Sequence, residues 1–432
     1  MRSNPEGSPP HESIRAGVVG LGHAGLPLAV EMALSGCRVT GIDTDLAKVS
    51  EINAGRTTVS DVDERTLAGL VRGGRLKAGA DYAALQTCDA VSICVPTPLR
   101  KTRDPDLTHV LEAVQAFTPH LRAGMLVVLE STTYPGTTEE CVRPALEASG
   151  LRAGADFHLC YSPERVDPGN PEFCTRNIPK IIGGITPRCL EAGMAFYSQF
   201  IETLVPVSST LAAETAKLLE NTFRMVNIAL ANETAVLCDR MGIDVWEVIE
   251  AAASKPFGFL PFYPGPGLGG HCVPVDPHFL SWKARQAGYE PQLIRLASEI
   301  NGAMPRHVVD RVQSVLNDAG KPTKGSRVHL VGVAYKRNVS DTRESPAVDI
   351  AALLARRGAR VTYSDPHVRS IRAGAVQLHR APLEDAARRC DICVILADHD
   401  GVDYPALLEA APVVLDTRNA LAGATAPNLV RL

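Results

Sequence analysis

Nothing in this chain forms a block of basic residues, which removes the electrostatic footprint of a nucleic-acid or anionic-membrane binder. No apolar run approaches the length of a spanning helix, so no membrane partner is expected. Residues 1–13 lack the apolar stretch of a signal peptide and are rich in Pro, Ser, Gly and Glu, so the sequence predicts a disordered tail on a cytoplasmic protein. The eleven cysteines fall at scattered spacings, which argues against a disulfide framework and for free thiols. Most lie among apolar residues, as in Ser92-Ile93-Cys94-Val95, and read as small hydrophobes. Cys390 and Cys393 have CxxC spacing, but the following Val394-Ile395-Leu396 marks a strand start rather than a redox or zinc site, and no metal is expected. What is present is an ordinary globular composition, with 21% charged and 45% hydrophobic residues and a net charge of −4. A length of 432 residues leaves room for two or three cores.

Near the start, the short apolar strand Ala16-Gly17-Val18-Val19 runs into Gly20-x-Gly22-x-x-Gly25 and a helix from Leu26 to Leu34. A second strand, Arg38 to Ile42, then ends at Asp43. A GxGxxG that follows a strand, opens a helix and is followed by an acidic residue is a dinucleotide fingerprint in its proper context. Gly20, Gly22 and Gly25 would let a pyrophosphate approach the helix N-terminus. Asp43 would accept from the ribose hydroxyls, favouring NAD over NADP; its other reading is a turn starter in Asp43-Thr44-Asp45.

The C-terminal part repeats this plan. Arg327 to Gly332 resembles the first strand, and a helix follows over Ile350 to Arg357. Arg360 to Asp365 mirrors Arg38 to Asp43, and Cys390-Asp391 echoes Cys88-Asp89. After Gly332, however, comes Val333-Ala334-Tyr335-Lys336-Arg337 in place of the glycines, so this half should bind something else; Lys336 and Arg343 suggest an anion. Between the halves, Ser208 to Met241 has neither Gly nor Pro and reads as one long helix, with an apolar face available for dimerisation. The fold class expected is α/β: two Rossmann-like, doubly wound parallel-sheet domains joined by a long central helix and a helical dimerisation region. The expected parts are a tail over 1–13, an NAD-binding domain over 14–207, a central region with the cysteine loop over 208–305, and a C-terminal domain over 306–432.

The segment Gly265-Pro266-Gly267-Leu268-Gly269-Gly270-His271-Cys272 puts a thiol behind four glycines, with Asp276 four residues on. Such a backbone can crowd round a ligand, and its thiol is placed for nucleophilic work, although a tight turn carrying a small apolar residue would look the same. On the long helix, Lys217 and Asn221 share a face at i and i+4, suited to an oxyanion or equally to a solvated stripe. Glu164 in Ser162-Pro163-Glu164-Arg165 fits a pocket base or a surface charge.

From about Ile14 onward the chain resembles the nucleotide-diphosphosugar 6-dehydrogenases, the UDP-glucose/GDP-mannose dehydrogenase family. The marks are Gly-Leu-Gly-His-Ala-Gly-Leu-Pro-Leu-Ala at 20–29, Val95-Pro96-Thr97-Pro98, Glu130-Ser131-Thr132 and Ser162-Pro163-Glu164-Arg165. To these add Lys217 with Asn221, Gly269-Gly270-His271-Cys272 with Asp276, and Asp341-Thr342-Arg343-Glu344-Ser345-Pro346.

The resemblance implies a four-electron oxidation of a sugar C6 hydroxyl with two NAD+, through a thiohemiacetal and a thioester on Cys272. It implies oxyanion contacts from Lys217 and Asn221, water held by Asp276 with Thr132, and a base in Glu164. Lys48, Pro96, Thr97 and Thr132 would join the glycines and Asp43 around NAD. Arg165, Phe262, Tyr263, Gly269, Lys336 and Arg343 would join Glu164, Lys217 and Asn221 around a nucleotide-diphosphate sugar, in a homodimer. His271, Val275 and the Pro168 that stands where a second glutamate is common point to the UDP-N-acetylhexosamine branch; UDP- or dTDP-glucose is the alternative. A two-electron hydroxyacid dehydrogenase and a non-enzymatic NAD-responsive protein compete with this reading.

Overall fold

The computed structural model describes residues 13–432 except 58, 60, 101, 168 and 171. Apart from Ser13, the expected disordered tail lies outside the described residues, as does Pro168. The chain divides into two compact units, one up to Leu218 and one from Leu219.

Among the described residues the first unit holds eight strands: β1 (Arg15–Val19), β2 (Arg38–Ile42), β3 (Leu76–Gly79), β4 (Ala90–Ile93), β5 (Leu126–Leu129), β6 (His158–Tyr161), β7 (Lys180–Gly184) and β8 (Leu204–Val207). Their order is β3-β2-β1-β4-β5-β6-β7-β8, with β1 at the switch point where the winding reverses. Pairings from β3 to β6 are parallel, while β7 runs antiparallel to β6. Apolar residues fill both faces, as a parallel sheet requires. Val18 and Val128 join one core, and Val19, Val127 and Leu129 the other.

The second unit contains β9 (Arg327–Val331), β10 (Arg360–Ser364), β11 (Ser370–Ala373), β12 (Val376–His379), β13 (Ile392–Ile395), β14 (Val414–Asp416) and β15 (Leu429–Arg431). A parallel sheet β10-β9-β13-β14-β15 is accompanied by the hairpin β11-β12. Two cores again flank the sheet. The helix expected from Ile350 starts at Pro346, a residue that suits the first helical position because its missing N–H is no loss there. The long helix spans Thr210–Met241, and a 27-residue helix follows at Gln292–Asp318.

The two α/β units match at several positions around their first strands. β1 pairs with β2 from Arg15↔Arg38, and β9 with β10 from Arg327↔Arg360. Asp89 accepts the Arg15 N–H at 3.0 Å, as Asp391 accepts that of Arg327 at 2.8 Å. Asp43 accepts the Leu21 N–H at 2.9 Å, as Asp365 accepts that of Val333 at 2.7 Å. The thiols of Cys390 and Cys393 sit 3.4 Å apart in the apolar layer around β13, which suits small hydrophobes. Among the described residues no helix is long and apolar enough to cross a membrane.

Candidate active site

In the first unit the glycine turn ends β1. Gly20 has φ +90°, and an added Cβ would lie 2.7 Å from the Cys94 carbonyl oxygen. A Cβ on Gly25 would collide with the Gly20 oxygen at 1.8 Å, so this glycine lets helix and strand pack closely. Nothing lies within 4 Å of a Cβ built on Gly22, the position that leaves room for a pyrophosphate. Asp43 receives the Leu21 and Asp45 N–H groups and the Lys48 ammonium, the last at 2.7 Å. Burial works to raise its pKa, but the bonds from Lys48, Asp45 and Leu21 outweigh it and hold the carboxyl below its ordinary value. It is therefore an ionised acceptor beside an open glycine turn, a donor set that fits NAD. Thr97 is buried and Pro96 exposed, just beyond the end of β4.

Thr132 follows β5. Before it, Ser131 Oγ donates to the Val95 carbonyl at 2.8 Å. Glu164 follows β6 and is half-buried; its Oε1 accepts the N–H groups of Arg165 at 2.7 Å and Val166 at 2.8 Å, which orients the carboxylate. The Arg165 guanidinium donates to the Pro179 carbonyl. Beneath this loop lies a buried hub that the sequence reading missed. Lys180 donates to Glu130 Oε2 at 2.7 Å and to the Pro163 carbonyl at 3.3 Å, and Tyr197 donates to the other Glu130 oxygen. Burial would lower the Lys180 pKa, but Glu130 and then Glu164 hold it above its usual value, so it stays a cation.

Lys217 and Asn221 are 7% and 4% exposed, which rules out the solvated stripe. Asn221 Nδ2 donates to Asp276 Oδ2 at 2.6 Å. Asp276 opens the helix Asp276–Gln286, and its N–H returns to the Cys272 carbonyl at 2.8 Å. Cys272 is exposed one turn ahead of that helix.

The glycines of this loop have a reason beyond ligand approach: the chain itself crowds them. A Cβ on Gly269 would meet Tyr335 Cβ at 2.6 Å, and one on Gly270, with φ +87°, would meet the Tyr335 ring at 2.7 Å. The Gly270 N–H donates to the Arg343 carbonyl. Arg343 grips Asp341 through Nε and Nη2, and that pairing holds its guanidinium pKa above the usual value against the pull of burial. Next to it Glu344 takes φ +51°, a conformation rare outside glycine. Lys336 is half-buried.

Phe262 and Tyr263 part company: Phe262 meets Phe223 edge-on at 5.7 Å, and Tyr263 stacks on Trp246 at 6.0 Å. Two asparagines not singled out in sequence anchor the start of the loop. Asn232 accepts the Gly265 N–H at 2.9 Å and donates to Asn301, which donates to the Met225 carbonyl. Arg418 also packs here, its Nη1 2.6 Å from a Cβ built on Gly265.

Comparison with known proteins follows the same division. The model for the NAD binding domain of the UDP-glucose/GDP-mannose dehydrogenase family matches residues 14–201, that for the central domain 211–303, and that for the UDP binding domain 329–423. A UDP-N-acetyl-D-glucosamine 6-dehydrogenase from Pseudomonas aeruginosa is 38% identical, covering 83% of this chain and 84% of that protein. A UDP-N-acetyl-D-mannosamine dehydrogenase from Methanococcus maripaludis is 36% identical over 94% of this chain and 92% of its own. The solved structure of a UDP-D-ManNAc dehydrogenase from Pyrococcus horikoshii superposes with a TM-score of 0.88 at 33% identity, covering 97% of this chain and 99% of that one.

Proposed function

Because this chain belongs to the UDP-glucose/GDP-mannose dehydrogenase family, we propose that it oxidises the C6 hydroxyl of a UDP-N-acetylhexosamine to the uronic acid through a thioester on Cys272. One observation carries the reading: Cys272 is exposed at the end of the glycine loop, one turn before Asp276, whose carboxylate is tied to Asn221. Both full-length relatives described above act on N-acetylhexosamine nucleotides, which favours that sugar class.

Gly20, Gly22, Gly25 and Asp43 would hold NAD+, which would supply the hydride acceptor for each of two oxidations at C6. Glu164 accepts the proton of the C6 hydroxyl in the first. The Cys272 thiolate then adds to the aldehyde carbon, forming the C–S bond of a thiohemiacetal. The face shared by Lys217 and Asn221 holds the resulting oxyanion; Asn221 has two amide hydrogens, and one is committed to Asp276. After the second oxidation leaves a thioester, Asp276 takes a proton from the attacking water. The C–S bond breaks to return the Cys272 thiolate, and the acid leaves as the carboxylate, its second proton passing to solvent. Thr132 helps Asp276 hold the attacking water and, with Lys48, Pro96 and Thr97, belongs to the cofactor side. Arg165, Phe262, Tyr263, Gly269, Lys336 and Arg343 belong to the substrate side.

On this reading the NAD-binding part runs over 14–207, the helical part over 208–305 and the sugar-nucleotide part over 306–432. The protein works in the cytoplasm, where its eleven free cysteines stay reduced, and as a homodimer. The test is stoichiometry and substrate choice: two NADH per sugar, with UDP-N-acetylglucosamine or UDP-N-acetylmannosamine turned over faster than UDP- or dTDP-glucose. Cys272→Ala should abolish acid formation while NAD binding survives. One NADH per sugar, or uronate from the alanine variant, would overturn the mechanism.

A further inference from the structure

Glu214 has 0% exposure on the long helix, and nothing so far has used it. Its Oε2 accepts the Gly136 N–H at 2.6 Å; its Oε1 accepts the Thr138 N–H at 2.9 Å and the Thr138 hydroxyl at 2.7 Å. All three donors come from the turn that ends the Thr132 loop, where Gly136 takes φ +101° and Thr137 bonds back to the Tyr134 carbonyl.

At its other end the loop is fixed by Ser131, which donates to Val95. Thr132 thus lies between two anchors, and Glu214 is one of them. The helix that supplies this anchor carries Lys217 three residues on, a neighbour on the same face. A buried carboxylate is a costly way to close a turn, because both oxygens must be fully paired to offset the lost water. The three short bonds meet that need only while the carboxylate is ionised.

We propose that Glu214 is a positioning residue: it locks the Thr132 loop to the helix turn that carries Lys217, and so sets the geometry of a loop residue that the reaction uses. The inference rests on the role proposed for Thr132. Burial pushes the Glu214 carboxyl up to about 7 against the pull of Gly136 and Thr138, and Glu139, the charged neighbour from the turn's far side, adds to the push. Near neutrality a proton on Glu214 would face an N–H donor, and the lock would loosen.

The experiment uses the full chain without ligand for amide exchange, and with NAD+ and a UDP-N-acetylhexosamine for kinetics. In Glu214→Gln, exchange at Gly136 and Thr138 should quicken by about tenfold while amides of β1 and β5 stay protected. Its kcat should fall by about 10–100-fold with little change in sugar-nucleotide KM, and the acid limb near pH 7 expected of the parent should vanish. Glu214→Asp should recover part of the rate.

Parent-like kcat and exchange in Glu214→Gln would overturn the proposal, as would loss of protection throughout the unit. Should that variant not fold, the parent's own exchange decides: protection at the two amides that falls from pH 8 to pH 6 supports the lock, and constancy refutes it. Absence of NADH from the parent refutes the functional reading instead and leaves the amide result standing.

Discussion

Asp43 and Asp365 stand at the same place in two copies of one unit, each at the end of a second strand and each accepting a backbone N–H from the turn after the first. Asp43 has three donors and sits beside the open position at Gly22. Asp365 has five: Val333, Ala334, His367 and Val368 give backbone N–H groups, and His399 gives Nε2–H, since its Nδ1 accepts from Asn338. A carboxylate with five donors has no capacity left for a ribose, so the second copy has turned this group into a structural pin. Burial works to raise the Asp365 pKa, but His399 and the N–H groups bring it down to about 2. A folded pKa below the unfolded value stabilises the protein above that unfolded value, and the gain disappears as pH falls through about 2. Asp365→Asn should therefore cost about 2 kcal/mol at pH 7, and the gap to the parent should close on acidification. Urea unfolding followed from pH 7 to about pH 2 checks this, with NAD affinity at pH 7 as the control that should not move. A gap that widened at low pH would contradict the assignment.

Elements were legible in the chain wherever the signal was local. Gly20-x-Gly22-x-x-Gly25 with Asp43, the Gly- and Pro-free run from Ser208 and the second Arg-to-Asp strand each announce themselves within a few residues. The antiparallel turn of β7 gave no such sign, because the direction of a strand depends on its neighbour and not on its composition. Long-range polar pairs were hidden as well: Glu214 finds its partners 76 and 78 residues away, and Lys180 finds Glu130 at a separation of 50. The glycine loop was visible, but its cause was only half read, since the atoms nearest Gly269 and Gly270 belong to Tyr335, Glu344 and Pro346. That has a consequence for Cys272. Gly270→Ala would press a methyl group onto the Tyr335 ring in a backbone conformation hostile to L residues, so the loop must shift. Displacing a nucleophile by about 1 Å costs on the order of 100-fold in rate, so kcat should fall by that much while NAD binding is retained. Tyr335→Ala added to Gly270→Ala should recover part of the loss, and no recovery would separate the loop's shape from its contact with Tyr335.

For the whole molecule, the exposed apolar surface of the long helix is the feature that bears most on the proposed homodimer. Leu219, Phe223, Leu230, Leu237 and Met241 are all exposed, at spacings of four, seven, seven and four. Seven residues make nearly two turns and drift by only about 20° per repeat, so these side chains form one stripe about 33 Å long. An exposed apolar stripe of that length suits a protein–protein interface. The homodimer proposed above would use it, because a two-fold axis would place each end of the stripe against the opposite end of its mate and bury the same residues twice. The interface would then be apolar at its centre, so a buried charge there should be costly. Leu230→Glu with Leu237→Glu should convert a dimer into a monomer in sedimentation at micromolar concentration, while the circular dichroism of the two α/β units is kept. A parent protein that sediments as a monomer, or a double variant that still dimerises, would move the interface to another face.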